Sequence, residues 1–247
     1  MITTLIALLF AHIMADFLLQ TRYMITHKRN FAILLLHILI VAALSYGALG
    51  FTGHWLVLAV AGSHLMIDAA KTYWPGVSLR AFLIDQTLHI LIILAAVSQF
   101  PDLYSTGIWR EYGLLETPAV WLTYVPDGWI TALPQFMLLS GGLIMATRAG
   151  GFAIGLFMQP LTPKTNDGMP QAGAIIGNLE RALAYVFILS GQPQNLGFLI
   201  AAKSILRFGA TQNDRKTSEY VIIGTLCSFG WVIAVALITA KLWEYIS

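Results

Sequence analysis

Three histidine–aspartate pairs punctuate the first hundred residues: His12 with Asp16, His64 with Asp68, and Asp85 with His89. In each, the partners are four residues apart, the separation that sets two side chains on one face of a helix. A further histidine, His37, falls between the first two pairs. Imidazole nitrogen and carboxylate oxygen together suit zinc, manganese or iron, and the lack of thiolate speaks against a structural cysteine-type zinc. Seven donors exceed the four of one tetrahedral zinc. They suit two ions bridged by a carboxylate, with one or two positions left for water, as in hydrolytic centres that activate water and clamp a phosphoryl oxygen. His12, Asp16, His37, His64, Asp68, Asp85 and His89 are therefore candidate metal ligands. Asp16, Asp68 and Asp85 are also candidate general bases, or orient the histidines from behind.

A single buried His–Asp pair has a plainer account, because it satisfies itself by hydrogen bonding and can fasten two helices or relay protons. Three pairs and a fourth imidazole favour metal. Gln20 lies four residues beyond Asp16 and Lys71 three beyond Asp68, so both extend these faces. They are candidate substrate contacts, although Lys71 would equally snorkel to lipid phosphates. Gln86, next to Asp85, is expected to point elsewhere on its helix. His27 and His54 fall at the ends of apolar stretches and read as solvated or interfacial.

The elements that position these residues are long apolar runs. The 247 residues are 57% hydrophobic and only 11% charged, with a mean hydropathy of +0.74, against roughly 25% charged residues in a soluble domain. Such a chain cannot cover a water-facing surface, and lipid is its solvent. Crossing the hydrocarbon core takes about 20 residues of helix. The sequence offers Ile2–Gln20, Phe31–Leu49, His54–Lys71, Ala81–Gln99, Trp129–Thr147, Ala172–Ser190, Leu196–Arg207 and Ser218–Leu242. The expected fold is all-α, a polytopic bundle of about eight spans. The continuity of Ala149–Leu161 is left open by Gly150, Gly151 and Gly155. The first span lacks a basic leader and carries His12 and Asp16, so it reads as a retained helix rather than a signal peptide. The 14 Lys and Arg residues are scattered and net charge is +2, which gives nucleic acid no patch. The single cysteine, Cys227, excludes an internal disulfide.

Basic residues set the orientation. Arg22, Lys28, Arg29, Lys71, Arg80, Arg148, Lys164, Arg207, Arg215 and Lys216 share one side if the spans alternate. Opposite them, Pro101–Asp127 carries Arg110 against Asp102, Glu111, Glu116 and Asp127. The basic side is thus expected to face the cytoplasm, with both termini exterior. By helix rise, the four histidines lie roughly 9–12 Å from the cytoplasmic ends of their spans and the three aspartates roughly 5–6 Å. Imidazoles form one layer and carboxylates another, nearer the cytoplasm. The chain thus divides into a four-helix unit over residues 1–100, an exterior loop over 101–128 whose Trp109, Tyr112, Trp121 and Tyr124 suit the interface, and a second four-helix unit over 129–247.

The series His12-x-x-x-Asp16-Phe17-x-Leu19-Gln20, His37, His64-x-x-x-Asp68-x-x-Lys71 and Asp85-Gln86-x-x-His89 resembles an uncharacterised bacterial membrane-protein family, a domain of unknown function, over residues 1 to about 100. The resemblance implies a recurring N-terminal module and supplies no reaction. More loosely, histidines and aspartates on successive helices look like membrane-bound metal-dependent hydrolases related to zinc phospholipase C, which implies phosphoester hydrolysis. The spacings differ, and that enzyme's N-terminal tryptophan ligand has no counterpart here.

In the second half, Arg181, Lys203 and Arg207 either gather as an anion pocket for a phosphate or headgroup, or Glu180 pairs with Lys203 or Arg207 across helices. Gly173 and Gly177 form a G-x-x-x-G that permits close helix approach within the chain or in a homo-oligomer. The functional expectation is a metal-dependent hydrolase acting on a phosphorylated or amphipathic substrate from the cytoplasmic leaflet, among membrane lipids. The alternatives are a metal-ion or proton transporter, and a scaffold or complex subunit with a structural metal.

Overall fold

The computed structural model of the chain describes residues 1–73, 78–111, 129, 132–162, 172–211 and 215–247, without the side chains of 73, 110, 111 and 206–211. Every regular element among the described residues is helical. The helices are α1 (Ile2–Met14), α2 (Arg22–Thr26), α3 (Phe31–Ala48), α4 (His54–Tyr73), α5 (Leu79–Gln99), α6 (Ile108–Glu111), α7 (Leu133–Ile144), α8 (Gly150–Met158), α9 (Ala172–Leu189), α10 (Asn195–Thr211) and α11 (Arg215–Trp243). Two π turns extend this set: Ala15–Leu19 prolongs α1, and Met145–Ala149 joins α7 to α8.

Six stretches among the described residues are long and apolar enough to cross a membrane: Ile2–Leu19, Phe31–Ala48, Leu79–Gln99, Leu133–Leu161, Ala172–Leu189 and Arg215–Trp243. The sequence suggests eight, and the difference has two causes. Helix α4 has the length, but His54, His64, Asp68 and Lys71 dilute its apolar character. In α10 the apolar stretch is only Asn195–Ile205. Residues 149–161, where the glycines left continuity open, belong to one unbroken helical run.

By packing, the chain divides into two compact units, Met1–Gly141 with Leu242–Ser247, and Gly142–Lys241. The sequence places its divisions near 100 and 128 instead, because a helix count does not reveal that the start of α7 and the chain's last residues pack with the first unit.

In the first unit α1 packs on α3 and α5, and α4 packs on the same two, closing a four-helix ring. Short side chains fix where α2, α3 and α5 begin. Thr21 accepts from the Met24 amide, Asn30 from Ala32 and Ser78 from Ala81, each satisfying a helix-end donor. Polarity in this ring is inverted relative to a water-soluble bundle. His12, His37, His64, Asp68, Asp85 and His89 are buried, whereas Leu36, Leu39, Leu58, Met66, Ile84 and Leu91 face outward. Hydrocarbon, not water, suits that surface. Toward the end of the ring where α5 finishes, Ile6, Leu8, Val57, Val60, Ile93 and Val97 fill the interior.

That end is closed by the segment after α5. The Thr4 hydroxyl donates to the Pro101 carbonyl at 2.7 Å and accepts from the Tyr104 amide at 3.2 Å. The Trp109 indole donates to the Gly47 carbonyl at 2.7 Å, and the Ile108 amide to Gly50 at 3.0 Å. Gly50 must be glycine here, since its φ is +76° and a Cβ would lie 2.9 Å from the Trp109 ring. Burial pushes the Tyr104 phenol up to about 12. Tyr112, Trp121 and Tyr124 of the expected interfacial loop lie outside the described residues.

In the second unit the π turn leaves backbone carbonyls that need donors. Arg181 supplies two, its Nε to Ala146 at 3.0 Å and its Nη2 to Thr147 at 3.1 Å, while Trp231 Nε1 donates to Met145 at 2.9 Å. Gly150 and Gly151 make room, because a Cβ would lie 2.5 Å from Trp231 and 2.9 Å from Arg181. Among the described residues of the chain, nothing lies within 4 Å of a Cβ at Gly173, and Gly177 meets only the Arg181 guanidinium of its own helix.

Candidate metal centre

The ring carries the seven candidate ligands to one place. His12 comes from the last turn of α1, Asp16 from the π turn, His37 from α3, His64 and Asp68 from α4, and Asp85 and His89 from α5. The four imidazoles cluster, with ring centroids 4.0 Å apart for His64 and His89, 5.0 Å for His12 and His89, 5.2 Å for His37 and His64, and 5.5 Å for His12 and His64. Three sets of donor atoms are close enough to hold an ion: His12, Asp16 and His64; His37, His64 and Asp68; and Asp68, Asp85 and His89.

The tightest geometry lies at the middle of this group. His37 Nε2 and His64 Nε2 are 3.2 Å apart, and each is 3.3 Å from Asp16 Oδ1. The carboxylate oxygen Asp68 Oδ2 stands 3.4 Å from His37 Nε2 and 3.9 Å from His64 Nε2. Donors about 2.0–2.1 Å from a tetrahedral zinc are about 3.3–3.4 Å from one another. The first three atoms match that separation on every edge, and the fourth stands slightly further out.

Unmet polar atoms concentrate on the same residues. Of eight buried side-chain polar atoms without a hydrogen-bond partner among the described residues, five belong to candidate ligands: His12 Nδ1, Asp16 Oδ1, His37 Nδ1, Asp85 Oδ1 and His89 Nε2. Buried polar groups are otherwise nearly always satisfied. Asp16 Oδ1 is the telling case, standing 3.3 Å from two imidazole nitrogens that are paired with one another. His89 is oriented independently, since its Nδ1 donates to the Asp85 carbonyl at 2.8 Å. That bond places the lone pair on Nε2.

Three further side chains complete the surroundings. Gln86 does not point elsewhere, as its sequence position suggests. Its Oε1 lies 3.2 Å from His12 Nε2, and its Nε2 donates to Asp85 Oδ2 at 3.1 Å and Asp16 Oδ2 at 3.4 Å. Adjacent helix positions diverge at Cβ, but the glutamine side chain is long enough to swing back. Lys28, in the turn after α2, donates to Asp68 Oδ2 at 2.8 Å. Lys71 reaches not Asp68 on its own helix but Asp85 Oδ2 on α5, at 2.6 Å. Nothing in its spacing marks Lys28, because a turn residue has no periodicity. His27 and His54 are exposed at helix ends.

Along the ring axis the order is therefore apolar, imidazole, carboxylate, ammonium. A water-sized cavity borders the imidazole layer on its apolar side, lined by Leu8, Val41, Ser45, Val60 and Ile93 together with His12, His64 and His89. At the opposite end, the Lys71 side chain is 38% exposed and Lys28 13%. The site opens there.

Residues 4–109 match the family model described as Protein of unknown function (DUF3307). The matched segment contains α1 to α5, every candidate ligand, Gln86 and both lysines, and it is the stretch on which the sequence resembles an uncharacterised family. Neither a curated protein nor a solved structure matches the chain significantly.

The remaining expected contacts lie in the second unit. Arg181 is buried and, besides the two carbonyls, donates to Ser228 Oγ at 3.1 Å and Asn178 Oδ1 at 2.7 Å. Lys203 pairs with Glu180 at 2.6 Å, the cross-helix arrangement. The Arg207 side chain lies outside the described residues.

Proposed function

We propose that the four-helix ring is the centre of a membrane-embedded, metal-dependent hydrolase. Its substrate would be phosphorylated or amphipathic and would enter from the cytoplasmic leaflet of a bacterial inner membrane, through an eight-span bundle with exterior termini. The observation that carries this reading is the triangle of His37 Nε2, His64 Nε2 and Asp16 Oδ1, with edges of 3.2–3.3 Å. Three protein donors that leave the fourth position to water are the pattern of catalytic rather than structural zinc.

A divalent ion held there supplies Lewis acidity toward water and a phosphoryl oxygen. The chain's own residues supply the rest. Asp85 has Oδ2 held by Lys71 and Gln86, while its buried Oδ1 makes no hydrogen bond among the described residues. That oxygen is the general base we assign to take a proton from an attacking water. Lys28 and Lys71 stand at the open end, where an anionic group would arrive. The apolar filling beyond the imidazoles supports a one-sided catalytic site over a transit route for metal ions or protons.

Elemental analysis of the purified full chain, paired with hydrolysis assays on phosphatidic acid and a soluble phosphomonoester, tests the reading. Stoichiometric zinc, manganese or iron, lost in His64→Ala, together with turnover lost in Asp85→Asn at full metal content, is the expected result. No bound metal, or metal unchanged in His64→Ala, overturns it. Metal with ion flux in proteoliposomes but no hydrolysis points to transport, and metal with neither points to a scaffold.

A further inference from the structure

Lys28 occupies a carboxylate oxygen beside the candidate metal position, and Lys71 holds the carboxylate of Asp85, which shares a possible donor set with Asp68 and His89. Lys28 Nζ lies 2.8 Å from Asp68 Oδ2, and that same oxygen is 3.4 Å from His37 Nε2. Lys71 Nζ lies 2.6 Å from Asp85 Oδ2. An ammonium group and a divalent cation thus compete for one edge of the site. Charge tips that competition. With neutral imidazoles, the carboxylates of Asp16, Asp68 and Asp85 exceed the two ammonium groups by one negative charge among the described residues. A divalent cation reverses the sign. The loaded site then holds one positive charge too many in surroundings that screen it poorly, and both lysines lose part of their attraction to the carboxylates.

We infer that Lys28 and Lys71 form an oxyanion site for a phosphate group, assembled only when a divalent cation occupies the His37–His64–Asp16 position. The inference rests on the metal-centre reading above and deepens it by naming the substrate's recognised part. In the unloaded state each lysine is tied to an aspartate. In the loaded state both ammonium groups turn to an incoming phosphate at the open end, where Lys71 is already 38% exposed. Lysine suits this role because its flexible stem and rotatable donors serve two partners in turn. Cation and oxyanion must then bind cooperatively, and the coupling is reciprocal.

Zinc affinity of the full chain in detergent is measured by competition with a chelator, with and without inorganic phosphate. Parallel measurements use vesicles of phosphatidylcholine alone or with phosphatidic acid. Phosphate, free or as the lipid headgroup, is expected to tighten zinc by roughly tenfold. The arm that shows the effect identifies the source. In the Lys28→Ala/Lys71→Ala double variant the effect disappears while zinc still binds, at least as tightly as in wild type without phosphate. Because both proteins share one buffer, zinc complexation by phosphate cancels. Lys28→Arg/Lys71→Arg retains the effect, which separates charge from packing, and the single Gln variants each show part of it should the double variant not fold. Zinc affinity unmoved by phosphate and by phosphatidic acid overturns the inference, as does equal tightening in the double variant. Absence of zinc binding under any condition removes the metal-centre reading itself.

Discussion

His37 and His64, on adjacent helices, point their Nε2 atoms at one another across 3.2 Å while both stand 3.3 Å from one Asp16 oxygen. One proton shared between the imidazoles serves that pair first and leaves Asp16 Oδ1 only its side contacts to them. A cation serves all three atoms at once.

The first prediction concerns the corners of this triangle. His37→Ala and His64→Ala each remove one, and each is expected to weaken metal binding by more than the roughly 10–100-fold that outer partners are worth. Metal content of protein dialysed against a weak chelator is the measurement. A variant that keeps its metal would show that the triangle is not the site.

Gln86→Ala is the second. The amide touches His12, Asp16 and Asp85 and is not itself one of the candidate donors. Affinity is expected to fall by about 10–100-fold, with full occupancy recovered at higher metal concentration. Titration with a zinc indicator separates this from outright loss of the site, and an unchanged isotherm would reduce Gln86 to packing.

Much of this centre is legible in the sequence, and the limits have physical causes. Four-residue spacing and helix rise are enough to place imidazoles in one layer and carboxylates in the next, because both derive from α-helix geometry. Gln86 and Lys28 escape such reasoning, since a side chain that curls back and a residue in a turn obey no helical period. The π turn at Asp16 has no residue signature either. The helix count differs where polar residues of the candidate site dilute the apolar character of α4.

Arg181 supports a third prediction. Replacing it with Leu leaves the Ala146 and Thr147 carbonyls of the π turn without a side-chain donor, at about 1–3 kcal/mol for each buried unsatisfied group. Gly151→Ala puts a Cβ 2.9 Å from the guanidinium and is expected to cost about 1–3 kcal/mol through overpacking. Thermal unfolding of the full chain in detergent reads both. No loss of stability in Arg181→Leu would mean that the carbonyls find other donors.

The fourth concerns pH. Burial raises the Tyr104 phenol from 10.0 to about 12, so the fold favours its neutral form. The sign is that of a raised pKa: the contribution is whole below about pH 10 and is lost as pH climbs from about 10 to about 12. Tyr104→Phe is expected to abolish this alkaline component. At neutral pH it is expected to be neutral or slightly stabilising, because the hydroxyl is buried without a hydrogen bond. Melting temperatures at pH 8 and pH 11 for both proteins check it, and a parallel alkaline fall in Tyr104→Phe would assign the effect elsewhere.

The π turn at Ala15–Leu19 holds one residue more than an α turn would over the same stretch. Deleting Leu18, an exposed side chain, is therefore expected to relax that stretch to ordinary helix while the halves on either side keep their facing. The change falls on Asp16, whose backbone belongs to the widened stretch. A relative whose first helix is one residue shorter between histidine and glutamine is thus expected to keep its bundle and to present the carboxylate at a different height, and metal content separates the two lengths.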